Sequence, residues 1–458
     1  MLRKAGCLDY RLASRRDFLR LGSLSLLGAN LTHYLQFKSL MASAGVDIEK
    51  EATAKSIIVL WLEGGPSHID TYDPKPNSSF KPISTNVPGI QVTELCPLVA
   101  QQMDKIAVVR SVRTEEANHL EGAHNVLTGH RPSAAMAFPS VGSIITKELG
   151  PINTMPPYVL APQFDVDRQY EVLWKSAHLG AKYDPLILGD PTGCSFKDIT
   201  TVCDPDFAVA DLTLPKGLPV ERLESRLSML EMVDSIYRKK VEKAEFTAMD
   251  GFREQALQMI LQPEVREAFE LTRESEKVRD AYGRNGFGQS VLLARRLAER
   301  GSRFVTAAGY KFNEWDTHGN NDKQHKDALV PPLDQALSAL LVDLDERGML
   351  DTTMVIVMGE FGRTPTHNAS GGRDHWPHAW TLLMSGGGVK GGMVLGASDE
   401  RGAHVAEREV SIGDIYATVY KAMRIDWTKE YMTQVGRPVK IANSFEDKTG
   451  KPIPELLG

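Results

Sequence analysis

Residues 55–62 (KSIIVLWL) form a nearly unbroken apolar run that stops at Glu63-Gly64-Gly65-Pro66. A strand buried on both faces reads this way, because neither side needs polar residues, and its function is expected at the carboxyl end. Runs of the same kind follow at 106–110, 158–161, 303–307, 353–358 and 380–384. Helical patterns separate them. Residues 289–300 (QSVLLARRLAER) and 333–347 each close on a glycine, Gly301 and Gly348, and 411–423 opens on Ser411. Alternating strands and helices predict an α/β fold with a mainly parallel central sheet.

Residues 214–282 break the rhythm, being rich in Glu, Lys, Arg, Met and Leu without a strand-like run. They read as a mostly helical insertion between core strands, approached through a loop-rich stretch at 162–211. The composition is globular, at 42% hydrophobic and 24% charged. A net charge of −6 without a basic block argues against nucleic acid as partner.

The first 44 residues carry a different signal. Ser14-Arg15-Arg16-Asp17-Phe18-Leu19-Arg20 precedes a moderately apolar stretch at 21–35, and Ala42-Ser43-Ala44 offers a peptidase site. This is the layout of a twin-arginine export peptide, which makes the export machinery a partner and places residues 45–458 in the periplasm or cell envelope. After the signal no apolar run reaches the ~18 residues of a membrane span. Cys194 and Cys203 bracket a short polar loop and either form a disulfide or remain buried thiols.

Polar residues gather just after the strand-like runs. Glu63, Ser67, His68 and Asp70 follow the first, and Asn118, His119, Glu121, His124 and Asn125 the second. Asp316 and His318 lie in NEWDTHGNN, Glu360 and Arg363 in GEFGRTP, and Asp374, His375 and His378 in GGRDHWPHAW. Carboxyl ends of parallel strands share one rim, so these clusters are expected to converge. Carboxylates and imidazoles without thiolates are ligands for a divalent ion such as Zn, Mn or Ca.

The ordered set LWLEGGPSHIDTYDPKP, HNVLTGHRP, LLARRLAERG, WDTHGNN, GEFGRTP, GGRDHWPHAW and GGGVKGG resembles the exported "domain of unknown function 1501" family, grouped with sulfatases and alkaline phosphatases. The resemblance implies an alkaline-phosphatase-like α/β/α sandwich with metal ions at strand ends. Laid on the superfamily's metal pattern, Glu63, Asp316, His318, Glu360 and His375 resemble the ligands. His119 falls where sulfatases carry their nucleophile, and Phe361 replaces the histidine of an Asp-His-Gly motif. The resemblance therefore supplies no serine or formylglycine nucleophile.

Two functions follow from this reading. One is a sulfatase-like, metal-dependent hydrolase of sulfate or phosphate esters, with an anionic or sulfated polysaccharide as substrate class. In it His119 is an acid/base and Arg363 clamps an anionic oxygen. The alternative is a non-hydrolytic metal- or glycan-binding envelope protein that retains the fold.

Overall fold

A computed structural model of the chain describes residues 53–161, 170, 172–189, 202, 203, 205, 207, 262–310, 313–433 and 436–457. The expected export peptide at 1–44 and residues 214–261 of the expected insertion lie outside the described residues.

Eight strands form the central sheet: β1 (Ser56–Trp61), β2 (Ile106–Val112), β3 (Tyr158–Ala161), β4 (Leu186–Ile187), β5 (Phe304–Ala307), β6 (Thr353–Met358), β7 (Trp380–Ser385) and β8 (Met393–Leu395). Their order is β8-β2-β7-β6-β1-β5-β3-β4. β1 pairs in parallel with β5 and β6, and β5 with β3. β7 alone runs against its neighbours β2 and β6. β6 reaches β7 through an excursion that contains no crossover helix, and without one a chain returns antiparallel.

The side-chain period of two divides the strand residues between two cores. From β1, Ile58 and Leu60 point to one layer, with Val291, Leu297, Leu333 and Leu340. Ile57, Val59 and Trp61 point to the other, with Val126, Ile144, Ile415 and Val419. The first layer contains the helices α3 (Pro263–Phe269), α4 (Glu276–Tyr282), α5 (Gly286–Arg300) and α6 (Val330–Glu346). The second contains α1 (His119–Thr128), α2 (Val141–Leu149) and α7 (Ile412–Ala422). The expected three-layer α/β arrangement is the one observed.

The punctuation holds in detail. α5 closes on Gly301 in the left-handed conformation, and Ser411 caps α7 in a reciprocal box with Asp414. α6 starts earlier than its periodicity announces, because Pro331 and Pro332 sit in a first turn that needs no donor. The two-residue β4 and three-residue β8 are edge strands too short to show in the sequence. Within 262–282 the described chain is helical, and α3 and α4 pack on α5 and α6. Cys203 is disulfide-bonded, and Cys96 is a free, fully buried thiol. No helix among the described residues is long and apolar enough to cross a membrane.

Candidate metal centre

Four chain segments meet at the carboxyl rim of the sheet. β1 exits through Gly64, whose φ is +111°. A Cβ there would stand 2.4 Å from the Asp316 nitrogen, so only glycine lets the two segments touch. Trp315 donates its N–H to the Glu63 carbonyl at 3.1 Å, and its side chain is fully buried, which pins the following residue, Asp316, on the rim. Asn118 caps α1 by accepting the Leu120 N–H, and His119 begins the helix. His375 lies opposite Arg363 in a short antiparallel ribbon within the β6–β7 excursion.

Three imidazoles turn the same way. His119 Nδ1 is 2.7 Å from Glu360 Oε1, His318 Nδ1 is 2.7 Å from Asp374 Oδ1, and His375 Nδ1 is 2.7 Å from the Ala117 carbonyl. Carboxylates and carbonyls only accept, so each Nδ1 carries the proton and each Nε2 is left for the other side. All three Nε2 atoms face the Asp316 carboxylate, at 3.3 Å from His119 and 3.2 Å from both His318 and His375. The Nε2 atoms of His318 and His375 are 3.0 Å apart. Two lone pairs that close repel unless a proton or a cation stands between them. His119 Nε2 is buried without an aligned hydrogen bond.

Nitrogen and oxygen donors of His119, Asp316 and His375 all fall within 4.8 Å of one another. A divalent cation fits this donor set: the imidazoles are held in the ligating tautomer by partners behind them, as in metal sites generally. Without a cation, protons play its part. Burial works against the charged imidazole, yet Asp316 and Glu360 outweigh it and lift His119 to about 9. Burial would raise Asp316 too, but the adjoining His119 imidazole, the hydrogen bond with His375 and the charge of Arg363 hold it far below the carboxylate range. Glu63 goes up to about 8, from burial first and the adjoining Glu360 second.

The residues singled out from sequence separate into distinct positions. His119, expected as an acid/base, stands among the converging donors beside Asp316 and His375. His318 adjoins them and is the most exposed of the three imidazoles. Glu360 lies fully buried behind His119, accepting its Nδ1 proton and the Gly64 N–H at 2.9 Å. Glu63 is a partly buried neighbour of Glu360 and His119. Arg363 is fully buried and donates to the carbonyls of Gly64, Gly65 and Arg373 and to Asp316 Oδ1 at 2.6 Å. Its guanidinium thus faces the protein, and it positions Asp316.

Ser67 and Asp70 belong to a clasp beneath the site, while buried His68 meets the Gly402 carbonyl at 2.8 Å. Arg373 Nε meets Asp70 Oδ2 at 2.8 Å, with both side chains inaccessible. Ser67, Ser78 and Asn321 complete the carboxylate's shell. His325 links Ser67 to Asn321 by accepting the Ser67 N–H at 3.3 Å. Arg373, Asn321 and His325 escaped the sequence reading, although Arg373 stands inside GGRDHW. The Ala117 carbonyl left no signal, since any residue supplies one. His124 and His378 lie apart, the first against the His130 carbonyl and the second beside Trp376 and His404.

The family model described as "Protein of unknown function (DUF1501)" matches residues 54–457. None of the curated proteins matches. Among solved structures, alkaline phosphatase from the Antarctic bacterium TAB5 is similar at 12% identity and a TM-score of 0.41, over 82% of this chain and 100% of that one. The PsFucS1 sulfatase from Pseudoalteromonas sp. gives 12% identity and 0.36, over 85% and 70%. The lipoteichoic acid synthase LtaP from Listeria monocytogenes gives 12% and 0.37, over 90% and 82%.

Proposed function

The chain belongs to the DUF1501 family, and on that premise we propose that it is a metal-dependent hydrolase of phosphate or sulfate esters acting outside the cytoplasm. The observation that carries the reading is the convergence of three Nε2 atoms on one carboxylate, each imidazole fixed from behind. His119, Asp316 and His375 would hold a divalent cation, with His318 alongside. When bound, the cation would supply Lewis-acid polarisation of an anionic ester and offset its charge.

The chain's own residues do the rest. Glu360 and Asp374 orient imidazoles, and Arg363 keeps Asp316 ionised and aimed. Phe361, fully buried, packs its ring 4.6 Å from that of His375 and 5.2 Å from that of His119. This apolar wall excludes water from one side of the donors. It also favours a second reading, in which the site holds a cation without turnover.

Metal analysis by inductively coupled plasma mass spectrometry, together with turnover of p-nitrophenyl phosphate and p-nitrophenyl sulfate, tests both readings. Stoichiometric metal lost in Asp316→Ala and His375→Ala, with metal-dependent turnover lost in step, is the expected result. Bound metal without turnover of any ester supports the second reading. Folded protein without stoichiometric metal, even after incubation with Zn²⁺ or Mn²⁺, overturns both.

A further inference from the structure

Each imidazole of the centre is oriented by a partner behind it, and the three partners differ in how firmly they are held. Glu360, behind His119, is fully buried, and the Ala117 carbonyl, behind His375, belongs to the backbone. Asp374, behind His318, has a side chain that is 52% exposed. A carboxylate that open to water, held by one hydrogen bond, would exchange between rotamers and release the imidazole.

A second bond restrains it. Asn368 donates from Nδ2 to Asp374 Oδ1 at 3.0 Å, the same oxygen that accepts from His318 Nδ1. Nδ2 also donates to the His318 carbonyl at 3.0 Å. On the other side, Asn368 Oδ1 accepts the N–H groups of Ser370 at 2.9 Å and Gly372 at 3.0 Å. Chemistry fixes this amide orientation, since carbonyl and carboxylate oxygens only accept and backbone N–H groups only donate. An amide offers two donors and two acceptor sites, and here all four are used within the protein.

Main-chain contacts run alongside. The Asn320 N–H reaches the Ser370 carbonyl at 3.2 Å, Gly319 and Gly371 form a β-bridge, and the Asn368 N–H reaches the Gly372 carbonyl at 2.8 Å. These hold the two backbones together but leave the Asp374 side chain free to turn. We propose, on the metal-centre reading, that Asn368 is a positioning residue joining the Asp316–His318 segment to the Asp374–His375 ribbon. The acceptor half of its amide closes the 368–372 turn. The donor half sets Asp374, and through it aims His318 Nε2 at Asp316 and His375.

Asn368→Asp separates the two halves. It keeps the acceptors for Ser370 and Gly372 and removes both donors. It also puts a carboxylate oxygen where Nδ2 stands, 3.0 Å from Asp374 Oδ1 and from the His318 carbonyl, so Asp374 must turn away. Two measurements on the full chain read the result, with melting temperatures verifying that each variant folds. In metal-free protein, NMR of 15N-labelled histidine should show His318 Nδ1 protonated in the wild type and shifted toward the unprotonated form in Asn368→Asp. In Co²⁺ titrations followed by visible absorption, Asn368→Asp and Asn368→Ala should each weaken binding about tenfold or more, although an added negative charge alone would strengthen it. Asp374→Ala should weaken it likewise. Adding Asn368→Ala to Asp374→Ala should then change the affinity by less than about twofold, because the two side chains act in series. An unmoved His318 Nδ1 resonance, unchanged Co²⁺ affinity, or additive losses in the double variant would overturn the proposal. If the wild type itself binds no Co²⁺, the metal-centre reading fails, and the nitrogen resonance still decides whether Asn368 orients His318.

Discussion

Replacing Gly372 by alanine tests the metal centre through the backbone that shapes it. The new Cβ would lie 2.0 Å from the His318 carbonyl carbon, 2.1 Å from its oxygen and 2.3 Å from the Gly319 nitrogen. Real Cβ contacts essentially never fall below 3.0 Å, so the His318–Gly319 backbone must retreat by about 1 Å. It has little room to do so. The Arg373 N–H holds the Thr317 carbonyl at 2.9 Å, and the Asn321 N–H holds the Gly371 carbonyl at 3.0 Å.

Overpacking of this kind costs about 1–3 kcal/mol, which lowers the melting temperature by roughly 2–6 °C in a large domain. Functional constellations tolerate about 0.5 Å of displacement. Metal affinity should therefore fall by something on the order of 10–100-fold, as when a ligand's support is removed. The comparison is Gly371→Ala, one residue earlier. That site has φ +65° and nothing within 4 Å of a Cβ, so the substitution costs about 1–2 kcal/mol of backbone strain and displaces no ligand. Differential scanning fluorimetry and Co²⁺ titration followed by visible absorption separate the two variants. Equal Co²⁺ affinity in Gly372→Ala and Gly371→Ala would refute the steric argument.

The metal-free protein should lose stability as pH rises from about 4.5 to 9, through Glu63 between 4.5 and about 8 and through His119 between 6.5 and about 9. His119 is raised from 6.5 to about 9 and Glu63 from 4.5 to about 8, so each stabilises the fold below its unfolded value and loses that contribution as pH climbs through the folded one. Melting curves from pH 6 to 9.5 measure this, and a flat or rising profile in metal-free protein contradicts the assignment. Arg373→Ala leaves Asp70 buried without its partner and should cost about 3–5 kcal/mol. Urea denaturation reads that loss, and a change below about 1 kcal/mol would mean the clasp is dispensable.

The sheet was legible because its strands are buried on both faces. The run at 55–62 shows no polar interruption to blur it, and the exits at Glu63 and Glu360 stand out as the first charges after apolar stretches. Convergence of the rim followed from parallel strands alone. The direction of β7 was not legible, because it depends on an excursion that makes no crossover helix. The division of labour at the site was also hidden. Sequence showed His119, Asp316 and His375 as equals of Glu360 and Arg363, whereas burial and hydrogen bonding set the last two behind the donors. No composition rule distinguishes an arginine that faces a ligand from one that braces a loop. The alternation of strands carried no trace of Ala117, whose backbone carbonyl sets the tautomer of His375.

The converging donors come from remote parts of the polypeptide. Asp316 and His375 are 59 residues apart, and His119 lies 241 residues before the carboxylate that orients it. Joining such distant points carries a loop-closure cost that only the assembled sheet has already met. A fragment that ends at β6 lacks His375 and the ribbon that presents it, and so has no complete centre. Occupancy would thus report that the whole chain has found its place, and in refolding experiments cation uptake should be the last signal to recover.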